Sequence, residues 1–309
     1  MSTPVRIAGF VLGLVAVFIA ARGVGAVAGP VAEPTQPMAH DEMTGDEDTH
    51  GDTDGDTHGD HEGEESSEAS QTPGGLQVAE QGYTFRVVSE PRRGADRQFR
   101  FAIDGPDGEP VTAYDEVHDR PLHLIKIRRD GVGFQHVHPT LGADGVWTVR
   151  LTLSPGSSRL FADFTPTDGP ALILGTDVEV GGDYDAAAPT PITRVARVDG
   201  YRVEVTGDLA AGESSALTLT VARRGDPVTD LQPYLGAYGH LVALREGDLA
   251  YLHVHPEEPE GSAAGPEIPF LAEVPSEGRY RLFLDFRHDG VVRTAEFTLA
   301  AEEGHGHEH

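Results

Sequence analysis

Two short motifs carry most of the chemistry that this sequence offers. His136-Val137-His138 and His253-Val254-His255 each set two imidazoles two residues apart, and positions i and i+2 of an extended strand project to the same face. A further histidine precedes each motif by thirteen residues, His123 and His240, and an aspartate follows in a later apolar run, Asp163 and Asp285. Three neutral imidazoles with one carboxylate suit Zn²⁺ or Cu²⁺, and the affinity order of divalent ions favours copper. The chain has no cysteine, and its only methionines are Met1, Met38 and Met43. Thiolate sites and disulfides are thereby excluded, and the folded part holds no thioether for Cu(I).

The two motifs belong to an internal repeat. At an offset of 117 residues Pro110-Val111-Thr112 aligns with Pro227-Val228-Thr229, and His123-Leu124 with His240-Leu241. The same offset aligns Arg128 with Arg245, Phe134 with Tyr251, and His136 to Pro139 with His253 to Pro256. Five extra residues in the second copy then bring Arg159 to Phe164 onto Arg281 to Phe286. His118 has no histidine counterpart, Leu235 standing at its equivalent, and His288 has none either; both read as surface residues.

The elements that must position these groups are strands. Runs such as YTFRVV (83 to 88), LHLIKI (122 to 127) and VWTVRLTL (146 to 153) alternate at period two and are punctuated by Gly, Pro and Asp. That texture predicts an all-β protein of two tandem Ig-like β-sandwich domains, 76–182 and 198–300, joined by a linker over 183–197. His123 and His136 fall on the two arms of a hairpin turning through Arg129-Asp130-Gly131. A two-residue turn puts His123 opposite His136 or His138, on the same face, whereas a three-residue loop turns it away unless a bulge restores the face. Asp163 and Asp285 lie on the strand face opposite Leu160, Ala162, Phe164 and their counterparts, as a fourth ligand or as an acceptor that orients a histidine. Phe134 and Tyr251, two residues before each motif, read as packing residues. Each repeat is expected to form its own site, because the linker does not by itself enforce docking; the alternative is that the two motifs face each other across the domain boundary and share one metal.

The ends of the chain are different in kind. Ile7 to Ala21 is uninterruptedly apolar, with small residues at Ala26-Val27-Ala28, so residues 1–28 read as a signal peptide or a membrane anchor. Either outcome places the remainder outside the cytoplasm, at the cell envelope, with the membrane touched only through that segment. Residues 29–75 lack large apolar side chains and carry fourteen carboxylates between Glu33 and Glu68 without a Lys or Arg. They should be disordered. His40, His50, His58 and His61 lie in this stretch, and residues 301–309 end in three more histidines, a composition suited to weak metal collection. The net charge of −28 repels phosphate backbones, which argues against nucleic acid.

The pattern HL…RxDGxxFxHVHP within small β-sandwiches resembles the bacterial exported Ig-like and cupredoxin-like heavy-metal proteins, the YtkA-like and CopC-like groups. The resemblance covers residues 76–300. It implies an extracytoplasmic Ig-like β-sandwich that binds or delivers copper without chemical turnover; zinc is the next candidate by ligand type, and an envelope metal transporter or acceptor protein is the expected partner. The ligands it implies are His123, His136 and His138, then His240, His253 and His255. No Ser-His-Asp or paired-carboxylate constellation marks an enzyme. The alternative class is a membrane-anchored structural or interaction protein in which Ig-like domains act as spacers.

Overall fold

The structure is a computed structural model that describes residues 73–252, 254–256 and 262–303. The expected signal or anchor, most of the acidic segment, His253 and the final histidines lie outside the described residues.

Each repeat folds as a sandwich of two mainly antiparallel sheets, as the alternation predicts. In the first repeat one sheet runs Ala79–Glu80, Tyr83–Val87, Gly94–Asp104, Val146–Leu153, Thr140–Leu141; the other runs Leu172–Val180, Gly156–Pro166, Leu122–Arg128, Gln135–Val137. Phe99, Phe101, Ile103 and Trp147 from one sheet meet Leu124, Leu160, Ala162 and Phe164 from the other in a closed core. The second repeat has the same plan. Tyr201–Thr206, Ser214–Arg223 and Glu267–Glu273 face Gly239–Arg245, Gly278–His288 and Val291–Glu303 around Val203, Leu219, Phe270, Leu284, Phe286 and Phe297.

A third core lies between the sandwiches. Ile125, Ile127 and Phe161 of the first repeat pack with Val242, Leu244, Leu249, Tyr251 and Phe283 of the second, and Phe134 stacks on Phe283 with centroids 4.0 Å apart and planes 3° from parallel. Ile125, Ile127, Phe134 and Phe161 are the repeat counterparts of Val242, Leu244, Tyr251 and Phe283, so the same face of each sandwich is used. Burying each such side chain contributes about 1.5–3 kcal/mol at most. This docking is a contact that the linker did not by itself enforce.

Both connecting segments are drawn into that contact. The Ala187 N–H donates to Asp130 (2.8 Å), Arg128 reaches the Asp185 carbonyl (3.2 Å), and Thr190 Oγ1 accepts from Arg281 (2.9 Å). The second sandwich begins at Val195, inside the expected linker, and its last strand runs to Glu303. Before the first sandwich, the Gly74 carbonyl accepts from Tyr251 N–H (2.9 Å) and Gly75 N–H donates to the Ile173 carbonyl (2.8 Å). Gly75 has φ +73°, and a Cβ there would come within 2.4 Å of the Phe161 ring, so only glycine fits.

Candidate metal centre

The hairpin of the first repeat sets the histidines. Arg128 N–H donates to the Val132 carbonyl (3.0 Å) around Arg129-Asp130-Gly131, a loop whose direct continuation would pair His123 with Val137. The pairing slips by one residue before the strand resumes, giving Lys126 opposite Gln135, Ile125 opposite His136 and Leu124 opposite Val137. Gly131 and Gly133, at φ +80° and +69°, permit that slip. His123, His136 and His138 therefore share the face of Ile125 and Ile127, which is the face turned toward the second repeat.

On that face the three rings converge. Centroids of His123, His136 and His138 are 5.0–5.3 Å apart pairwise, and each offers a ring nitrogen within 4.8 Å of those of the other two. Two imidazoles on one tetrahedral ion, with metal–nitrogen bonds of about 2.0–2.1 Å, set their centroids about 5.2 Å apart. Their tautomers follow from the distal partners. His123 Nε2 lies 3.0 Å from the Val117 carbonyl and His136 Nδ1 2.8 Å from Asp285 Oδ2. Both partners can only accept, so both of those nitrogens carry hydrogen. The lone pairs then sit on His123 Nδ1 and His136 Nε2, which face each other at 3.0 Å. Two lone pairs so placed require a proton or a cation between them. His138 Nε2 is buried without a hydrogen-bond partner among the described residues.

The second repeat contributes to this cluster. His240 lies on the same strand face as Val242 and Leu244, directly opposite Asp285. Its ring stacks on His123, with centroids 5.5 Å apart and planes 6° from parallel, and lies 4.9 Å from His136. Asp285 accepts from His136 across the repeat boundary and from Thr294 Oγ1 (2.6 Å); its side chain is 4% exposed and that of His136 1%. Asp163 stands opposite His123 in the register but faces Ile173 on its other side, where no hydroxyl is available. Burial pushes its carboxyl up to about 6, opposed by the nearby His136. Burial, reinforced by the neighbouring rings, lowers His138 to about 3 and His240 to about 2. His123 falls to about 4 by burial despite its bond to Val117. These imidazoles are neutral near pH 7, as ligation requires.

Several expectations need correction. In the second repeat the chain pairs with Gly239–Arg245 at Tyr251–Leu252 only, and Val254–Pro256 is bonded to Glu267–Glu273 of the opposite sheet. His255 thus belongs to a strand outside the expected hairpin, and His253 lies outside the described residues. Among the described residues one three-histidine cluster forms, His123, His136 and His138, and His240 and Asp285 of the second repeat lie against it. His118, expected at the surface alone, is exposed but stands 5.4 Å from His240 and 6.1 Å from His123 between centroids. His288 is buried, bonded to Tyr201 Oη (2.6 Å) and Asp230 (2.9 Å). Phe134 and Tyr251 are packing residues, but of the core between repeats. Tyr234, whose ring lies 6.2 Å from His138, carried no signal in the sequence. His118 did carry one, standing five residues before His123, but a search for matched pairs discards it.

Comparison with solved structures finds β-sandwich proteins at low similarity. A DUF4426 family protein from Pseudomonas aeruginosa is 10% identical, with 35% of this chain and 96% of that one covered and a TM-score of 0.25. The Escherichia coli adhesin FdeC is 17% identical over 75% of this chain and 66% of its own, at 0.23. The fibronectin(III)-like modules of Clostridium thermocellum CbhA are 11% identical over 73% and 98%, at 0.18. Likenesses this distant bear on no functional statement. No curated protein matches the chain. One family model matches twice, over residues 77–182 and 196–303, the two sandwiches found above; the chain belongs to that family, described as a domain of unknown function (DUF8832).

Proposed function

We propose that this is an extracytoplasmic metal-binding protein that holds one divalent ion, copper before zinc, in a site shared by its two repeats, and buffers it or passes it to an envelope acceptor without chemical turnover. The observation that carries the reading is the 3.0 Å approach of His123 Nδ1 and His136 Nε2. Each is aimed inward by an acceptor behind its ring, Val117 and Asp285, with buried His138 beside them. A histidine whose distal N–H is held by a carboxylate or carbonyl is the usual support of a metal ligand. Two nitrogens on one ion are about 3.3 Å apart in tetrahedral geometry and about 2.9 Å apart at right angles on a tetragonal ion. The pair needs to move only a few tenths of an ångström for either.

The export reading rests on the apolar run Ile7 to Ala21. The acidic, histidine-bearing segment that follows would gather ions weakly. Titration of the full chain with Cu²⁺ and with Zn²⁺, against a chelator strong enough to strip the tails, should leave one tight ion per chain. His136→Ala and His138→Ala should each abolish it. Retention of no ion by the unmutated chain would overturn the reading, and two equal tight ions would overturn the shared site.

A further inference from the structure

The three-histidine site leaves two imidazoles of the cluster unused, His240 and His118. His118 sits in a tight loop closed by reciprocal bonds between Val117 and Arg120 (2.9 and 3.2 Å). His118 and Asp119 both have left-handed backbone, φ +51° and +59°, which His and Asp tolerate better than most residues. The second repeat makes the same kink at Leu235 and Gly236, φ +58° and +83°, but there the side chain is a buried leucine. The kink therefore belongs to the repeat, whereas an exposed imidazole at its tip belongs to the first copy alone.

Ring orientation separates the roles of these two residues. His240 is 6° from parallel to His123, and in-plane lone pairs of stacked parallel rings never meet at one ion. His118 stands edge-on to His240, 78° between planes and 5.4 Å between centroids. In-plane lone pairs of rings so crossed can converge, and the separation lies within the roughly 4.5–5.5 Å that two imidazoles span on one ion. His240 in turn touches the rings of His123 and His136, so it has one neighbour at the surface and two in the triad.

Resting on the metal reading above, we propose that His118 and His240 form an outer, weaker position for the same Cu²⁺ or Zn²⁺ ion, through which it enters and leaves the buried triad. Each step is a ligand substitution. An imidazole nitrogen replaces a metal-bound water or another imidazole, the oxidation state is unchanged, and the ion never has to regain a full hydration shell between solvent and triad. Two ligands hold the ion less tightly than three, which gives the transfer its direction.

The test uses the full chain and Zn²⁺ presented as the complex of a colorimetric chelator, whose absorbance reports transfer. His118→Asn keeps a residue that accepts left-handed backbone and removes the imidazole; His118→Ala is its companion. Both should load about tenfold more slowly than wild type while the affinity of the tight ion changes by less than about twofold, since a changed path alters rates and not the end state. Wild-type loading rates in both variants would overturn the proposal, as would loss of the tight ion itself, which would make His118 part of the inner site. Absence of a tight ion from the wild-type chain would instead sink the metal reading from which the proposal starts.

Discussion

In the first repeat the chain stays paired with Leu122–Arg128 through Val137 and only then crosses to the opposite sheet; in the second it leaves Gly239–Arg245 after Leu252, two residues sooner. The registers are equivalent up to that point, Lys126 opposite Gln135 and Ala243 opposite Leu252. What differs is the side chain at the branch. Gln135 exchanges hydrogen bonds with both the N–H and the carbonyl of Thr152 (2.8 Å each), so its amide serves the facing sheet while its backbone stays with the hairpin. Leu252 has no such group and packs into the core of its own sandwich. One glutamine thus accompanies the difference between a hairpin that stays paired through Val137 and one that ends its pairing at Leu252. The aspartates diverge in the same manner, Asp285 having Thr294 across from it and Asp163 having Ile173. The repeat supplies two equivalent faces, and where they meet the first brings His123, His136 and His138 and the second brings His240 and Asp285.

Four measurements would break or sharpen that contrast. The largest effect is expected where the repeats are alike. Phe161→Ala and Phe283→Ala, equivalent positions in the shared core, should each lower stability by about 3–5 kcal/mol. Urea unfolding followed through Trp147 checks this, and near-neutral values would mean that the repeats are not docked. Next come the aspartates. Asp285→Asn should weaken the tight ion by about 10–100-fold, because it loosens His136, whereas Asp163→Asn should shift it far less. Equal losses in competition titrations would restore a symmetric site.

Lys126 gives a third contrast, because its counterpart is Ala243. It is fully buried, its Nζ donating to the Gly133 carbonyl (3.1 Å), and burial lowers its amine to about 8. A base with a lowered folded pKa costs stability at low pH, and the cost fades as pH rises from about 8 toward about 10.5. Lys126→Met should therefore stabilise by about 1–2 kcal/mol at pH 7, after allowing for the lost bond, and by nothing near pH 10.5. Thermal melts at the two pH values decide it.

The smallest effect concerns acid. Free imidazoles near 6.5 would lose metal steeply between pH 7 and pH 5, but His123, His138 and His240 are held at about 4, 3 and 2 by burial. Metal affinity should fall by no more than about tenfold per pH unit from about pH 7 to about pH 5, because only the proton between His123 Nδ1 and His136 Nε2 has to be displaced. The metal-free fold should instead weaken as pH falls below about 6.5, because the unfolded chain takes up protons that the folded one refuses. A fall in affinity steeper than that, with metal-free stability unchanged, would show that the rings are solvated.

Much of this was legible in the sequence, and its failures are instructive. Period-two runs and the 117-residue offset fix two sandwiches because alternation reports burial of one strand face directly. LHLIKI and HLVALR also carried the docking signal, since Ile125, Ile127, Val242 and Leu244 lie on the histidine face as apolar residues with nothing in their own sandwich to cover them. Phe161 and Phe283 say the same beside Asp163 and Asp285. Reading only the Leu160, Ala162, Phe164 side of that strand hid the partner. The single cluster was not legible because His136 and Asp285 are 149 residues apart and meet only once two domains dock, a contact that no local spacing encodes. The branch after Leu252 is a choice between two sheets that accept the same alternation.

The short stretch Pro73 to Gly75 has a mechanical consequence. Gly74 is bonded to the second repeat through Tyr251, while Gly75 is bonded to the first through Ile173 and through Arg159, whose guanidinium donates to its carbonyl (2.6 Å). Tension on the chain before residue 73 would be divided between the repeats within two residues. It would load the seam next to Phe161 before either sandwich was strained, so the joint that assembles the histidine cluster is also where a tethered molecule would first feel force.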